Sequence, residues 1–266
     1  MASVWTGNRG TIRDFPGFNP SADAEAIRKA IQGIGTDEKT LIHILTARSH
    51  AQRQLIAKEY RAAFGKDLKD DLKSDLSGNF ERLMVALITP PALFDAKQLK
   101  KAMKGRREEG LKVDEDLAKK EAQILYDAGE KKWGTDEDTF TEILCLRSFP
   151  QLRLTFEEYK KISQKDIEDS IKGELSGYFE DLLLAIVNCV KNTPAFFAGR
   201  LHKALKGAGT DELTLNRIMV SRSEIDLLDI RVEYKKHYGC SLYSAIKSDT
   251  SGDYQTALLN ICGGDD

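Results

Sequence analysis

The chain has 266 residues, of which 41% are hydrophobic and 31% charged, which is typical of a globular protein and argues against disorder. The 40 Lys and Arg residues against 42 Asp and Glu residues give a formal net charge of −2, which argues against a nucleic-acid binder. No apolar run approaches the roughly 20 residues of a membrane span, and residues 1–10 lack the apolar segment of a signal peptide. Four cysteines without a Cys-x-x-Cys pair predict reduced thiols and a cytoplasmic protein, namely Cys145, Cys189, Cys240 and Cys262.

The first third of the chain has the spacing of apolar residues that predicts helices. Apolar residues recur at intervals of three and four, and no run alternates with a period of two. We expect five short helices, at about 21–33, 37–47, 52–64, 67–75 and 78–88. Asp37 and Glu38 begin the second of these, where their negative charge meets the positive end of the helix dipole.

A loop in this segment returns twice later in the chain. The sequence Gly-x-Gly-Thr-Asp-Glu at 33–38 recurs at 207–212, and Trp-Gly-Thr-Asp-Glu stands at 133–137. From the second glycine of each copy, an arginine follows after 13 residues, a tyrosine after 25 and an acid after 40. The chain is therefore a repeat protein of all-α class, with about five helices per repeat.

One repeat is shortened. The position of the loop's first glycine, which Trp133 occupies in one copy, falls at 33, 105, 133 and 207. The middle interval is therefore 28 residues, whereas its neighbours are 72 and 74. After Gly105 an Arg-Arg-Glu-Glu sequence replaces Gly-Thr-Asp-Glu, and the chain passes to a helix predicted at 114–129. We expect three full repeats and one truncated repeat, arranged as a tail at 1–17, repeats at 18–89, 114–192 and 193–266, and a remnant with its junction at 90–113.

The loop and the distant acid together predict a calcium site. Glycines allow positive φ angles, which let successive carbonyl oxygens converge on one point. Calcium takes six to eight oxygen ligands, and a carboxylate from elsewhere completes such a set. The acids at the fixed distance are Asp75, Glu174 and Asp249. A site with few charges predicts weak affinity and leaves positions for water or for a lipid phosphate oxygen.

Other features have simpler interpretations. A single such loop is also typical of a helix cap, but three copies with three acids favour a site. The arginines Arg48, Arg147 and Arg222 are expected to join helices within one repeat, and the tyrosines to lie in the core. Trp133 either packs internally or contacts a membrane interface, where indole rings are favoured. No combination of nucleophile and base indicates an enzyme.

These loops, with an acid 40 residues beyond each and repeats of about 70 residues, resemble the annexin family. The resemblance implies four repeats in a curved helical disc that binds calcium and docks on anionic phospholipid. It also implies indirect inhibition of phospholipase A2, by covering its substrate. The implied ligands are carbonyl oxygens and one carboxylate per site: Ile31, Gly33, Gly35 and Asp75; Gly129, Lys132, Gly134 and Glu174; and Leu205, Gly207, Gly209 and Asp249. Met103 and Gly105 are expected to bind no metal.

The shortened repeat also affects how the repeats are expected to pack against each other. In this family the second repeat packs against the third and the first against the fourth, so the third repeat is expected to expose an apolar face. Such a face favours self-association. A scaffold that acts without membranes remains the alternative function.

Overall fold

The computed structural model describes residues 9–32, 35–89, 107–108, 110–129, 136–207 and 209–265. Within these ranges the structure contains fifteen α-helices and no strand, which confirms the predicted all-α class. None of these helices has both the length and the hydropathy that a transmembrane segment requires. The chain separates into two compact units, one formed by Met1–Lys100 with Phe197–Asp266 and the other by Lys101–Phe196.

The first repeat contains five helices whose ends lie within two residues of the predicted ones. They are α1 (Pro20–Ile31), α2 (Glu38–Leu45), α3 (His50–Phe64), α4 (Leu68–Asp75) and α5 (Gly78–Ile88). Local capping explains the boundaries. The Asp37 carboxylate accepts a hydrogen bond from the Thr40 amide, as expected for the start of α2, and Ser49 forms a capping box with Gln52 at the start of α3.

The third and fourth repeats contain the same series of five helices. The third has α6 (Glu115–Ala128), α7 (Glu137–Leu146), α8 (Phe149–Ser163), α9 (Ile167–Glu174) and α10 (Gly177–Lys191). The fourth has α11 (Thr193–Leu205), α12 (Glu212–Arg222), α13 (Leu227–Tyr238), α14 (Leu242–Asp249) and α15 (Gly252–Cys262).

The first unit is built by reciprocal packing of the first and fourth repeats. Helix α2 packs against α15 and α5 packs against α12, so the second helix of each repeat contacts the fifth helix of the other. The pairing expected for these two repeats is thus present. Side chains from all four helices are fully buried in one apolar core, among them Leu41, Leu87, Leu215 and Ile261. An ion pair adds to the packing, because Arg53 Nη2 lies 2.9 Å from Glu224 Oε1.

The chain before α1 ties these two repeats together. The Arg9 amide donates to the Ile225 carbonyl and the Ile12 amide to the Ser223 carbonyl, at 3.0 and 3.1 Å. The Thr11 hydroxyl donates to the Ile261 carbonyl at 2.6 Å. A Cβ atom at Gly10 would lie 2.4 Å from the carbonyl carbon of Glu224, so the close approach requires glycine there.

The second unit has its own core, formed by α6 to α10. The segment that precedes α6 contacts the third repeat in the same way as the tail contacts the first repeat. Gln151 accepts from the Asp114 amide and donates to the Asp114 carbonyl, at 2.8 and 2.9 Å, and Gln52 makes the same two bonds to Phe15. Arg107 donates to the Leu144 carbonyl at 2.8 Å. The described residues between 107 and 113 form no helix, and Arg107 and Glu108 bond to main-chain groups of the third repeat.

The repeated arginines and tyrosines have the structural roles predicted for them. Each arginine pairs with an acid of its own repeat: Arg48 with Asp23 at 2.7 Å, Arg147 with Glu121 at 2.6 Å and Arg222 with Asp226 at 2.6 Å. The tyrosines are buried in the cores, namely Tyr60, Tyr159 and Tyr234.

Candidate metal centre

Each of the three acids is the last residue of the fourth helix in its repeat. Asp75 ends α4, Glu174 ends α9 and Asp249 ends α14. A carboxylate at a helix C-terminus faces the negative end of the helix dipole, which is unfavourable unless a cation lies nearby. The same placement in three repeats therefore suits a cation site.

One hydrogen bond closes the loop in every repeat. The amide of the aspartate in Gly-Thr-Asp donates to the carbonyl of an alanine near the end of the first helix, at 2.8 to 3.0 Å: Asp37 to Ala30, Asp136 to Ala128 and Asp211 to Ala204. The loop of the third repeat contains one residue more than the other two. The three loops thus start and finish in the same way, although one is longer.

The described glycines of the loops have the positive φ angles that the sequence predicted. The angles are 94° for Gly35, 146° for Gly207 and 111° for Gly209. Residues with a Cβ atom rarely adopt this region, so the glycines are needed for the path of the loop.

The first ligand proposed for two of the sites is the last residue of a helix. Ile31 ends α1 and Leu205 ends α11, and both side chains are buried. The last carbonyl groups of a helix have no partner within it. Because both side chains are buried, any ligation by these two residues would be through their main-chain oxygen.

The loop and the acid meet directly in the fourth repeat. The Thr210 hydroxyl lies 2.7 Å from Asp249 Oδ2 and 3.1 Å from the Asp249 carbonyl oxygen. Asp249 is half-buried, whereas Asp75 and Glu174 are exposed. The motif therefore brings the distant carboxylate to the loop, and the threonine that makes this contact was not predicted as a functional residue. Its recurrence at 36 and 135 is the signal in the sequence.

The acids of the first and fourth repeats line one cleft of about 460 Å³ within the first unit. Its carboxylates are Glu38, Asp75, Glu212, Asp249 and Asp253. The nearby cap residue Asp211 has a pKa below its usual value, chiefly because the Thr214 hydroxyl and amide donate hydrogen bonds to its carboxylate. The cleft is strongly acidic and repels anions until a cation neutralises it.

Hard oxygen atoms are the donors available at these loops, which suits calcium. No group of three or more His, Cys, Asp or Glu side chains that could hold a metal occurs in the described part of the chain. A site built mainly from main-chain carbonyls agrees with this. Gly129 is the C-cap of α6 beside the third loop. Several predicted positions lie outside the described residues: Gly33, Met103, Gly105, Lys132, Trp133 and Gly134.

Comparison with known proteins gives consistent matches. A family model described as Annexin matches residues 22–87, 120–186 and 196–261. The chain is 66% identical to annexin A3 of Homo sapiens over 323 aligned positions, covering 100% of both chains. The alignment is 57 positions longer than the chain of 266 residues. This difference agrees with a missing part of one repeat.

Comparison with solved structures gives matches to annexins as well. A structure of annexin III has a TM-score of 0.93 at 66% identity and covers 100% of both chains. A calcium-bound annexin (Sm)1 has a TM-score of 0.82 at 30% identity, covering 97% of this chain and 93% of the other. Three matched segments that coincide with three five-helix repeats, and high identity over the whole length, show that this chain belongs to the annexin family.

Proposed function

We propose that this protein binds anionic phospholipid membranes in the presence of calcium, through the loops of its first, third and fourth repeats. Family membership supports calcium-dependent phospholipid binding in general. The observation that carries the proposal is the acid at the end of the fourth helix in all three repeats, which in the fourth repeat contacts the loop residue Thr210.

The proposed ligands are three main-chain carbonyls and one carboxylate in each site. The first site uses Ile31, Gly33, Gly35 and Asp75; the second uses Gly129, Lys132, Gly134 and Glu174; the third uses Leu205, Gly207, Gly209 and Asp249. Four protein positions leave part of the calcium coordination sphere for phosphate oxygens of the lipid. Trp133 is proposed as a membrane contact, because indole rings favour the bilayer interface.

Charge explains why calcium is required. Five carboxylates line the cleft between the first and fourth repeats, so this surface repels an anionic membrane. Two bound calcium ions, one in each of these repeats, would cancel most of this charge and bridge carboxylate to phosphate. Coverage of the lipid surface in this way would also inhibit phospholipase A2 without any catalytic residue. The matched family is not one of enzymes, and we propose a cytoplasmic protein that is peripheral on membranes when calcium rises.

The test is sedimentation with phosphatidylserine vesicles over a calcium titration. The triple variant Asp75→Ala, Glu174→Ala, Asp249→Ala is expected to lose binding. The control variant is Asp70→Ala, Asp116→Ala, Asp169→Ala, which removes the same charge from exposed acids in the first turns of α4, α6 and α9. It should bind as the parent does. A folded parent chain that stays in the supernatant at millimolar calcium contradicts the proposal.

A second activity is supported by the surface of the third repeat. In the first unit, α2 and α5 complete a four-helix core with α12 and α15. Their counterparts α7 and α10 contact each other in the second unit, and the core residues described there all belong to the third repeat. Leu182 is 53% exposed, whereas Leu83 and Ala257 at the same repeat position are fully buried.

We propose that the face of α10 that carries Leu182 pairs with the same face of a second copy, by the reciprocal packing that joins the first and fourth repeats. The truncation of the second repeat in the sequence is the reason to expect an uncovered face here. Sedimentation velocity tests the pairing, with Leu182→Asp expected to give monomers. A parent chain that is monomeric at 100-fold the concentration used for vesicle binding rules out this pairing. A folded chain that does not bind vesicles but still captures a protein partner would favour the scaffold function.

A further inference from the structure

Two large apolar side chains are exposed in the first turns of helices that begin beside the proposed calcium sites, since α12 follows the glycine loop of the fourth repeat and α10 follows the acid Glu174. Leu213 is 64% exposed and is the second residue of α12. Tyr178 is 95% exposed and is the second residue of α10. Side chains of a helix lean towards its N-terminus, so both extend towards the loop end of their helix.

Neighbouring residues place each position close to an acid of its own unit. Glu212, immediately before Leu213, lines the acidic cleft together with Asp249. Asn79 and Asp253 occupy the position of Tyr178 in the first and fourth repeats, and both line that cleft. Tyr178 also follows the acid Glu174 by four residues, across the short connection between α9 and α10.

The other repeats have polar residues at these two positions. Lys39 and Asp138 correspond to Leu213, and Asn79 and Asp253 correspond to Tyr178. The fold therefore does not need an apolar side chain at either place. Leu213 is exposed although the repeat pairing of its unit is complete, so a missing partner helix does not explain its exposure.

We propose that Leu213 and Tyr178 enter the interfacial layer of the membrane once calcium has docked their loops. The leucine supplies apolar area that leaves water, and the tyrosine supplies a ring with an apolar body and a polar hydroxyl, which suits the interface. This inference rests on the proposed membrane binding and adds to it an apolar contribution. Such a contribution is screened by salt far less than the calcium bridge is.

The experiment compares single variants in vesicle binding over a calcium titration, at low and high salt. Leu213→Gln and Tyr178→Asn are each expected to raise the calcium concentration for half-maximal binding about three- to tenfold, with the larger effect at high salt. The matched controls are Leu55→Gln and Val232→Gln, which remove similarly exposed side chains from α3 and α13. Both controls should bind as the parent does.

The outcomes separate this inference from the function on which it rests. If the parent binds vesicles and both variants bind them at the same calcium concentration, the inference is wrong and the proposed calcium sites are unaffected. A parent chain that binds no vesicles overturns the proposed function instead. If Tyr178→Asn alters only the sedimentation coefficient, its ring belongs to the self-association face, and the membrane role of Tyr178 is wrong. Far-UV circular dichroism confirms that each variant is folded.

Discussion

The Thr210 hydroxyl holds the Asp249 carboxylate at 2.7 Å, across 39 residues of chain. This contact joins the first loop of the fourth repeat to the end of its fourth helix. It fixes one carboxylate oxygen before any cation arrives and lowers the ordering that calcium binding must impose on the acid. We therefore propose that Thr210 positions the Asp249 carboxylate.

Replacing this hydroxyl should weaken the fourth-repeat site. We expect Thr210→Val to lower its calcium affinity about threefold to tenfold, because a hydrogen bond to a charged group is lost. Thr210→Ser retains the hydroxyl and should restore most of the affinity. Calorimetric calcium titration in the Asp75→Ala, Glu174→Ala background isolates this site. Equal affinities for the valine and serine variants would show that the contact has no part in binding.

The ion pair between the first and fourth repeats should contribute to stability. Burial lowers the pKa of Arg53 to about 10 and raises that of Glu224, so both charges depend on each other within the first unit. Glu224→Ala leaves the Arg53 cation buried beside main-chain groups and should cost about 2 kcal/mol in urea unfolding.

A double-mutant cycle with Arg53→Met separates this coupling from packing. The two single changes should together cost more than the double change, since the double variant has no unpaired charge. Lys161→Ala removes the exposed partner of an ion pair with Glu158 and should leave the urea midpoint nearly unchanged. Additive costs for Arg53 and Glu224 would mean that the pair is not coupled.

The tail should detach when Gly10 gains a side chain. In Gly10→Ala a methyl group would lie 2.4 Å from the Glu224 carbonyl carbon, and main-chain atoms cannot yield as a flexible side chain can. We expect the hydrogen bonds of Arg9 and Ile12 to Ile225 and Ser223 to be lost, with faster proteolysis at residues 9–15. Gly17→Ala is the control, because no atom lies within 4 Å of the added group although its φ of 73° makes it strained. Equal cleavage rates for Gly10→Ala and the parent would contradict this account.

The cap at Asp211 predicts a pH dependence of stability. Its pKa is lowered in the folded state, so its stabilisation is complete above the unfolded pKa of about 4 and disappears as pH falls through the lowered folded value. Asp211→Asn still caps the helix but does not titrate. The difference in thermal midpoint between the parent and Asp211→Asn should therefore change below about pH 4 and stay constant between pH 5 and 7. A difference that is constant down to pH 2 would exclude this role.

The periodic parts of the fold follow directly from the sequence. The apolar spacing places helix ends within two residues, because burial of one face needs residues at intervals of three and four. The fixed number of residues between loop and acid also indicates a common site. Residues at the same position of structurally similar repeats occupy the same place in each repeat. Asp75, Glu174 and Asp249 each end a helix for that reason.

Contacts that depend on irregular chain paths were not predictable in the same way. Arg53 and Glu224 lie 171 residues apart and have no shared pattern. The tail binds through main-chain groups of Arg9 and Ile12, which every residue possesses, and only Gly10 indicates the close approach. The Thr210 contact depends on the conformation of a glycine loop, which spacing alone does not determine.

The first unit joins the two ends of the chain, and this has a consequence during synthesis. Helices α2 and α5 leave the ribosome long before α12 and α15, so the core that they share stays open while the whole third repeat is made. The third repeat has short-range contacts and its own core, and it can fold in that interval. The first repeat must therefore be shielded from aggregation until the last helix emerges, and a stop codon within the final repeat would leave both ends of the protein unfolded.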